Sequence, residues 1–361
     1  MTEADIIFFE LIQIALGNHK TLSRTPTEVE WKAIFANAQK QAIVGLAFDA
    51  LEGLVNNGMQ ISKALLLEWI GINERIKQRN ILVNQRCKEL EKLFVDVGYK
   101  SCILKGQGSA LYYQNPLCRQ SGDIDVWIEG ARHDILDYVK KKDYHIGHVD
   151  IKHSDIGFFE DVHVEVHFIP SWMYNPIKNR KLQNFFSMQK MAQFGNYDES
   201  VGFTHTTVQF DLVFSLVHIY RHLFDEGIGL RQLLDYYHIL LHSEKQQRVE
   251  AIMVLKGLGM KSFTEGLMWV LKECFALKER FYLCDINEHH GSFLLSEILI
   301  AGNFGHYDSR IKHQESCNRF AKGLVGLKRN IRFLRYYPSE VLWSPIWKLW
   351  HWCWRKKMGF L

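Results

Sequence analysis

The stretch that most constrains the fold of this 361-residue chain lies at residues 101–128. It opens with a short apolar run at 102–104, whose length is typical of a buried strand. A turn of small residues follows at 105–109, and a short helical stretch at 110–114 comes next. A second apolar run then ends at Ile128. The order of strand, turn, short helix and strand predicts a small α/β unit in this part of the chain.

Asp123 and Asp125 are the chemical feature of the second run. Because alternate residues of a strand point to the same face, a strand here would place both carboxylates side by side, with Ile124 and Val126 on the opposite face. Two adjacent carboxylates repel each other and are costly to bury unless a cation compensates them. Carboxylate oxygens at this spacing suit Mg²⁺, which usually binds through one or two carboxylates together with substrate phosphates.

The order of these features resembles the nucleotidyltransferase superfamily of DNA polymerase beta, which has a Gly-Ser turn at a helix start followed by a strand carrying Asp-x-Asp. More narrowly, the chain resembles the uncharacterised nucleotidyltransferases of the NTP_transf_5 type. The matching residues are Leu104-Lys105-Gly106, Leu111-Tyr112, Arg119 and Asp123-Ile124-Asp125. The resemblance and the change from helical to strand periodicity predict an α+β fold, with a small mixed-sheet nucleotidyltransferase core flanked by N-terminal and C-terminal helical regions.

The resemblance also implies the chemistry and its residues. The expected reaction moves a nucleoside monophosphate from a nucleoside triphosphate, ATP, to an acceptor that is a small molecule, sugar, peptide or protein. The expected cofactor is Mg²⁺ or Mn²⁺, acting as two metal ions. The catalytic and metal-binding residues implied are Asp123, Asp125 and Glu165. The residues implied for binding the triphosphate are Lys105, Gly106, Gly108, Ser109 and Arg119.

The assignment of Glu165 depends on the second of two further strands, which are predicted over residues 144–152 and 157–168. Its valines share one face, while His163, Glu165 and His167 share the other with Asp161. One alternative is an edge strand whose polar face meets water. Another alternative is a Zn²⁺ or Fe²⁺ site on His163, Glu165 and His167. However, residues four apart on a strand are about 13 Å apart, which is too far for both histidines to bind one ion. We therefore expect Glu165 to join Asp123 and Asp125, with the histidines flanking it and contacting substrate or solvent.

One departure from the superfamily pattern leaves a second function open. The turn reads Gly-Gln-Gly-Ser instead of Gly-Ser, so either Gly106 or Ser109 takes the key position. A nucleotide-binding or regulatory module without turnover is compatible with this turn. The intact pair of Asp123 and Asp125 favours an enzyme, because a protein without catalysis has no need of two costly adjacent acids.

The remainder of the chain is predicted to be helical. The expected domains are an N-terminal helical region at 1–98, the nucleotidyltransferase-like core at 99–170 and a C-terminal helical domain at 171–361. A long helix is predicted for residues 62–97, and others for 206–224 and 230–241. The helix at 206–224 carries His218 and His222 at i,i+4 spacing, and the helix at 230–241 carries Arg231 and Asp235 at the same spacing. His222 and Arg231 are candidates for the wall of the cleft. Arg231 and Asp235 also fit an ion pair on the helix surface.

Composition limits the partners and the location. A net charge of +4 is too small for the basic stripe of a duplex-DNA binder. Seven cysteines without a Cys-x-x-Cys pair predict buried reduced thiols in a cytoplasmic protein, and no stretch is apolar enough for a transmembrane helix. A final helix is predicted to begin at Ser344, with Trp347, Trp350 and Trp354 on one face. We expect these tryptophans to pack against the protein, with contact to a membrane surface as the alternative.

Overall fold

A five-stranded mixed sheet carries the stretch described above. The computed structural model describes residues 2–310 and 329–360. The strands of this sheet are β1 (Ser101–Ile103), β2 (Ile124–Ile128), β3 (His145–Val149), β4 (His153–Gly157) and β5 (Val164–His167). They are arranged in the order β1-β2-β5-β4-β3, with β2 and β5 parallel and the other neighbours antiparallel. The prediction of an α+β fold with a small mixed sheet is confirmed.

Helices precede and follow this sheet in the chain. The N-terminal helices are α1 (Glu3–Ala15), α2 (Glu28–Lys40), α3 (Val44–Asn56) and α4 (Lys63–Asp96). Within the sheet region lie the one-turn helix α5 (Gln107–Ala110) and α6 (Arg132–Lys141). The later helices are α7 (Pro176–Phe194), α8 (Val208–Asp225), α9 (Leu230–Leu241), α10 (Lys245–Gly257), α11 (Lys261–Phe275), α12 (Glu288–Ala301) and the C-terminal helix Pro338–Lys357.

Two apolar cores hold these elements together. The first covers one face of the sheet, where Val126 and Val166 pack against the second half of α4 and against α6. The second joins α1, α2 and α3 to the helices from α7 to α12, and it reaches the other sheet face through Trp127. Because α4 contributes to both cores, it connects the N-terminal helices to the sheet. The domain boundaries after residues 98 and 170 stay a prediction.

The segment before β5 differs from the prediction. Instead of strands at 144–152 and 157–168, the chain forms β3, β4 and the short β5, and residues 158–163 form a loop. The physical reason is a tertiary contact with α4. Arg86 binds the Asp161 carboxylate through Nε at 3.1 Å and Nη2 at 2.7 Å, and Arg79 donates to its carbonyl. These contacts hold the chain away from the sheet until Val164.

Three further differences concern helices and a hairpin. The short helix after the turn is Gln107–Ala110, three residues earlier than predicted. A small hairpin, β6 (Tyr197–Asp198) with β7 (Phe203–Thr204), lies within the region predicted to be helical. The C-terminal helix begins at Pro338, which takes the favourable first helical position itself, so Ser344 is an interior, buried residue and not the predicted cap. The part of the predicted helical domain at 311–328 lies outside the described residues.

The C-terminal tryptophans are only partly packed, as expected for one side of a surface helix. The Trp347 ring lies 5.5 Å from both Trp172 and Tyr174. Trp354 is half-buried, whereas Trp350 is 48% exposed, so the expected burial of Trp350 is wrong. Contact with a membrane surface therefore stays a prediction. No helix of residues 2–310 and 329–360 combines the length and hydrophobicity needed to cross a bilayer.

The cysteines agree with the expectation of free thiols wherever the structure describes them. Six of the seven are described, and all six have free thiols. Four of these lie in the cores, while Cys284 is partly exposed and Cys353 is exposed. Cys317 lies outside the described residues.

Asp211, in the first turn of α8, makes stability depend on pH. Its carboxylate is buried and accepts a hydrogen bond from the Tyr112 hydroxyl at 3.2 Å. Burial raises the pKa of Asp211 to about 8, although hydrogen bonds from Thr206 and Tyr112 oppose the shift. Since an unfolded aspartate has a pKa of about 4, only the folded state keeps this proton between about pH 4 and about pH 8. Unfolding releases it, so this group lowers stability as pH rises through that window.

We expect Asp211→Asn to stabilise the protein at alkaline pH, because asparagine keeps the shape without the buried charge. The expected gain in unfolding free energy is about 3–4 kcal/mol larger near pH 8 than near pH 5, because about three pH units of the window, each worth about 1.4 kcal/mol, separate the two conditions. Urea unfolding at both pH values measures it. Asp134→Asn is the matched control, because Asp134 is exposed on the surface of α6, and it should change neither value. An equal effect of Asp211→Asn at the two pH values would contradict the explanation.

Candidate active site

The pairing of β2, β4 and β5 places the acidic and imidazole side chains on one face of the sheet. Asp125 is the register partner of Glu165 on the parallel strand β5. On the antiparallel side, His153 of β4 lies opposite His167. Directly paired residues on neighbouring strands share a face, with Cβ atoms roughly 5 Å apart. The alternate valines of β5 point into the sheet core, so the polar set faces the helices that follow.

Asp123 joins this set from the loop directly before β2. The ligand atoms of Asp123, His163 and Glu165 all lie within 4.8 Å of one another. Burial and repulsion from Asp125 raise the pKa of Asp123, although the Lys105 charge opposes the shift. Three acids expected from the sequence therefore meet at one place, which is the chemical requirement for a divalent-cation site. Their catalytic roles stay a prediction.

Lys105 is the nearest counter-charge to these acids. Its Nζ lies 2.9 Å from Asp125 Oδ2. Burial disfavours the ammonium, but the charges of Asp125, Asp123 and Glu165 outweigh burial and raise the pKa of Lys105. The lysine therefore stays charged and compensates the buried Asp125 carboxylate. In this arrangement it contacts the acid pair, and the expected contact with a triphosphate remains a prediction.

His167 supplies the second contact to Asp125. Its Nε2 lies 2.9 Å from Asp125 Oδ1, and its Nδ1 lies 3.4 Å from the Ile169 carbonyl. Both neighbours are acceptors, so both ring nitrogens can donate. Burial disfavours the imidazolium, but the hydrogen bonds with Asp125 and Glu165 raise the pKa of His167 to about 9. The ring of His167 is buried against Asp125, so it does not face solvent, and its expected contact with substrate stays a prediction. His163 does face solvent, with a side chain 57% exposed.

Besides Lys105, the small-residue turn brings two of its three other predicted residues to the cleft. Gly106 and Ser109 line the same cleft as Asp123 and Asp125. Gly106 has φ +63°, a backbone conformation that favours glycine. Gly108 is outside this lining, because it packs beneath the turn, where an added Cβ would lie 3.3 Å from His205 Cβ.

Arg119 lines the cleft but uses its bidentate edge for another residue. Its Nε and Nη2 donate to the two carboxylate oxygens of Asp235, each at 2.8 Å. The Tyr113 hydroxyl also donates to Asp235, at 2.8 Å. The guanidinium edge that could bind a phosphate through two hydrogen bonds is therefore occupied by a buried ion pair. Arg119 Nη1 has no hydrogen-bond partner among the residues that the structure describes, and it is the group left for a ligand.

Of the two helical residues that the sequence suggested for the wall of the cleft, one lines the cleft and the other does not. Arg231 lines the cleft and donates from Nη1 to the Gln120 carbonyl at 2.9 Å, not to Asp235, so the expected helix-surface pair is wrong. His218 lines the cleft as well. His222 does not line it and lies 3.3 Å from Glu226. Among residues 2–310 and 329–360, neither histidine belongs to a group of three converging ligands.

Sequence reasoning missed two residues beside this cleft. Phe304 lines it and packs on the Arg231 guanidinium, 5.2 Å from Cζ to the ring centre. Its φ of +51° is rare for a bulky residue, and no signal in the sequence announces it. His153 was placed beyond the end of a predicted strand. Residues 153–157 read His-Ser-Asp-Ile-Gly and show no apolar alternation, so no local signal announces β4.

Comparison with known proteins agrees with the geometry. The model of a family described as "Uncharacterised nucleotidyltransferase" matches residues 27–276. The matched range begins at the cap of α2 and ends at the cap of α11, so it includes the whole sheet and the cleft side chains on α8 and α9. No curated protein matches the chain. Because the family model covers well over half of the sequence, this chain belongs to the uncharacterised nucleotidyltransferase family.

Proposed function

We propose that the chain moves a nucleoside monophosphate from ATP to an acceptor hydroxyl and releases pyrophosphate. The observation that supports this most strongly is the convergence of Asp123, Asp125 and Glu165 beside a cleft lined by Lys105 and Gly106. Family membership supports the reaction class. The acceptor remains a small molecule, sugar, peptide or protein.

The acids fit Mg²⁺ or Mn²⁺, the cofactors we propose. Asp123 and Glu165 present their oxygens within 4.8 Å of each other, and Asp125 lies beside Glu165 in register. The mutual repulsion that raises the pKa of Asp123 is relieved by a bound cation. When bound, such ions neutralise charge on the triphosphate and lower the pKa of the acceptor hydroxyl.

The cationic side chains of the cleft suit the triphosphate. Arg119 Nη1 and Arg231 Nε are buried and have no hydrogen-bond partner among residues 2–310 and 329–360, and both residues line the cleft. Buried donors are normally paired, so these two N–H groups are suited to phosphate oxygens. Lys105 can exchange its contact with Asp125 for a phosphate oxygen once a metal ion binds that carboxylate. The turn adds Ser109 on the same side.

The second candidate is a nucleotide-binding or regulatory module without turnover. The observation that favours it is the state of Asp125, since Lys105 contacts one of its oxygens and His167 contacts the other. An acid held in this way needs both contacts to loosen before it binds a metal ion. ATP binding without pyrophosphate release would identify this function.

We expect ATP to bind the purified full-length protein with a dissociation constant in the micromolar range, about 8 kcal/mol, and only with Mg²⁺ or Mn²⁺ present. Calorimetric titration with ATP, GTP, CTP and UTP, with and without each ion, measures this. Pyrophosphate release from labelled ATP then separates the enzyme from the binding module. Absence of binding for all four nucleotides with both ions would contradict the proposal.

A further inference from the structure

We propose that His153, Glu165 and His167 bind a transition-metal ion of the Zn²⁺ class. This site goes beyond the proposed nucleotidyl transfer and does not depend on it. It uses two histidines that the transfer does not require, and it lies on the same sheet face as the acids, formed by β4 and β5.

The three side chains converge at the spacing that a metal ion requires. His153 Nδ1 lies 3.4 Å from Glu165 Oε2, and His167 Nε2 lies 3.5 Å from the same oxygen. All three ligand atoms lie within 4.8 Å of one another. In a tetrahedral site with bonds of about 2.0–2.2 Å, neighbouring ligand atoms lie roughly 3.3–3.6 Å apart. The two distances to Glu165 therefore match the edge of such a tetrahedron.

His153 supplies an independent observation that points to a ligand. The residue is only 8% exposed, and within the described part of the chain its Nδ1 has no hydrogen-bond partner. A buried polar atom without a partner is unfavourable and is uncommon in folded proteins. Since this nitrogen faces Glu165 and lies beside His167, a metal ion bound by all three would provide the missing partner.

The surroundings of His167 resemble those of a metal-binding histidine. Its Nδ1 faces the Ile169 carbonyl at 3.4 Å, which fixes the ring and leaves Nε2 directed at Glu165. Metal-bound histidines commonly donate their other ring N–H to a carbonyl or carboxylate in this way. Asp125 Oδ1 lies 2.9 Å from the same Nε2, so a metal ion bound at this nitrogen would replace its hydrogen bond to Asp125. Two imidazoles with carboxylates favour Zn²⁺, Fe²⁺ or Mn²⁺ over Mg²⁺.

This site differs from the one that the sequence suggested on β5 alone. His163 lies before the strand and groups with Asp123 and Glu165, so it does not meet His167 at one ion. His153 takes its place because strand pairing sets it opposite His167. Glu165 belongs to both groups of ligands. The transition-metal position therefore adjoins the proposed Mg²⁺ position and shares this carboxylate with it.

The test measures metal binding by the full-length protein without any nucleotide. After removal of metals by chelation, we expect one equivalent of Zn²⁺ to bind in calorimetry and to remain after dialysis against excess Mg²⁺, as measured by elemental analysis. Co²⁺ should give the visible absorption of a four-coordinate ion. His153→Gln should weaken Zn²⁺ binding by about 100-fold or more, since even loss of a residue that supports a ligand costs 10- to 100-fold.

His148→Gln is the matched control, because its ring centre lies 6.3 Å from that of His153 and it belongs to neither group of ligands. It should bind Zn²⁺ like the unaltered protein. Circular dichroism of each variant checks the fold, and Glu165→Gln provides a second loss of a ligand. Failure of the unaltered protein to bind Zn²⁺, displacement by Mg²⁺, or equal binding by folded His153→Gln would overturn the proposal. Because no nucleotide is present, failure of nucleotidyl transfer gives a separate result.

Discussion

Replacing Asp123 by asparagine is expected to reduce nucleotidyl transfer by about 1,000-fold or more and to leave the fold intact. Asp123 lies in the loop before β2 and shares the ligand group with Glu165. Loss of its charge removes one of the acids that we propose to hold the metal ions. Stability should not fall, because burial and repulsion from Asp125 already disfavour the ionised form of Asp123. Pyrophosphate release and urea unfolding measure the two effects.

Asp123 is a better position for this test than Asp125. Asp125→Asn would leave the buried Lys105 without the carboxylate that lies 2.9 Å from its Nζ. Loss of activity and loss of stability would then occur together. Asp134→Asn, on the exposed surface of α6, is the matched control for the removal of one negative charge. Full metal-dependent activity in folded Asp123→Asn would refute the assignment of this acid. Unfolding of the variant would instead indicate a structural role.

Asp235→Ala is expected to lower the free energy of unfolding by about 3–5 kcal/mol. The mutation removes both hydrogen bonds to Arg119 and the one from Tyr113. Arg119 is only 6% exposed, so its charge would be buried without a partner. Breaking a buried pair in this way costs far more than breaking one on the surface, where solvent replaces the lost partner. Urea denaturation at neutral pH measures the change.

Two further variants separate the contribution of the Arg119–Asp235 ion pair to stability from that of the hydrogen bond donated by Tyr113. Tyr113→Phe should cost only about 1 kcal/mol, because it removes one hydrogen bond and leaves the pair intact. The double variant Arg119→Met/Asp235→Leu should recover much of the stability lost in Asp235→Ala, since no charge is then buried alone. A loss below about 1 kcal/mol for Asp235→Ala would show that water replaces the carboxylate.

The boundaries of several helices follow from local sequence. The long helix predicted for residues 62–97 is α4, Lys63–Asp96, and it ends before Gly98, whose φ is +83°. The helix predicted for residues 230–241 has the bounds of α9. Such boundaries depend on the spacing of apolar residues and on the residues within one turn of the helix end. Because these interactions are local, they are the same in any fold. The acid pair was found for the same reason, because the spacing of Asp123 and Asp125 is a local property.

The strand boundaries around the site were decided by tertiary contacts. The alternation of valines begins at Val162, before the start of β5, and the sequence predicts one strand over residues 157–168. Arg86, about 75 residues earlier on α4, binds Asp161 and holds this segment away from the sheet. In the folded sheet β4 lies between β3 and β5, which brings His153 opposite His167. A contact over that distance in sequence has no signature in the local pattern.

The amino-acid sequence by itself determined the fold class, the family and the position of the pair Asp123 and Asp125, because strand–turn–strand order and Asp-x-Asp spacing are encoded over a few residues. Glu165 was implied by the resemblance. Tertiary structure alone decided the partners of the charged residues. It paired Arg119 with Asp235, placed Lys105 and His167 on Asp125, and brought His153 to Glu165. These contacts form between side chains on different elements, and a buried charge is tolerated only next to the partner that folding brings to it.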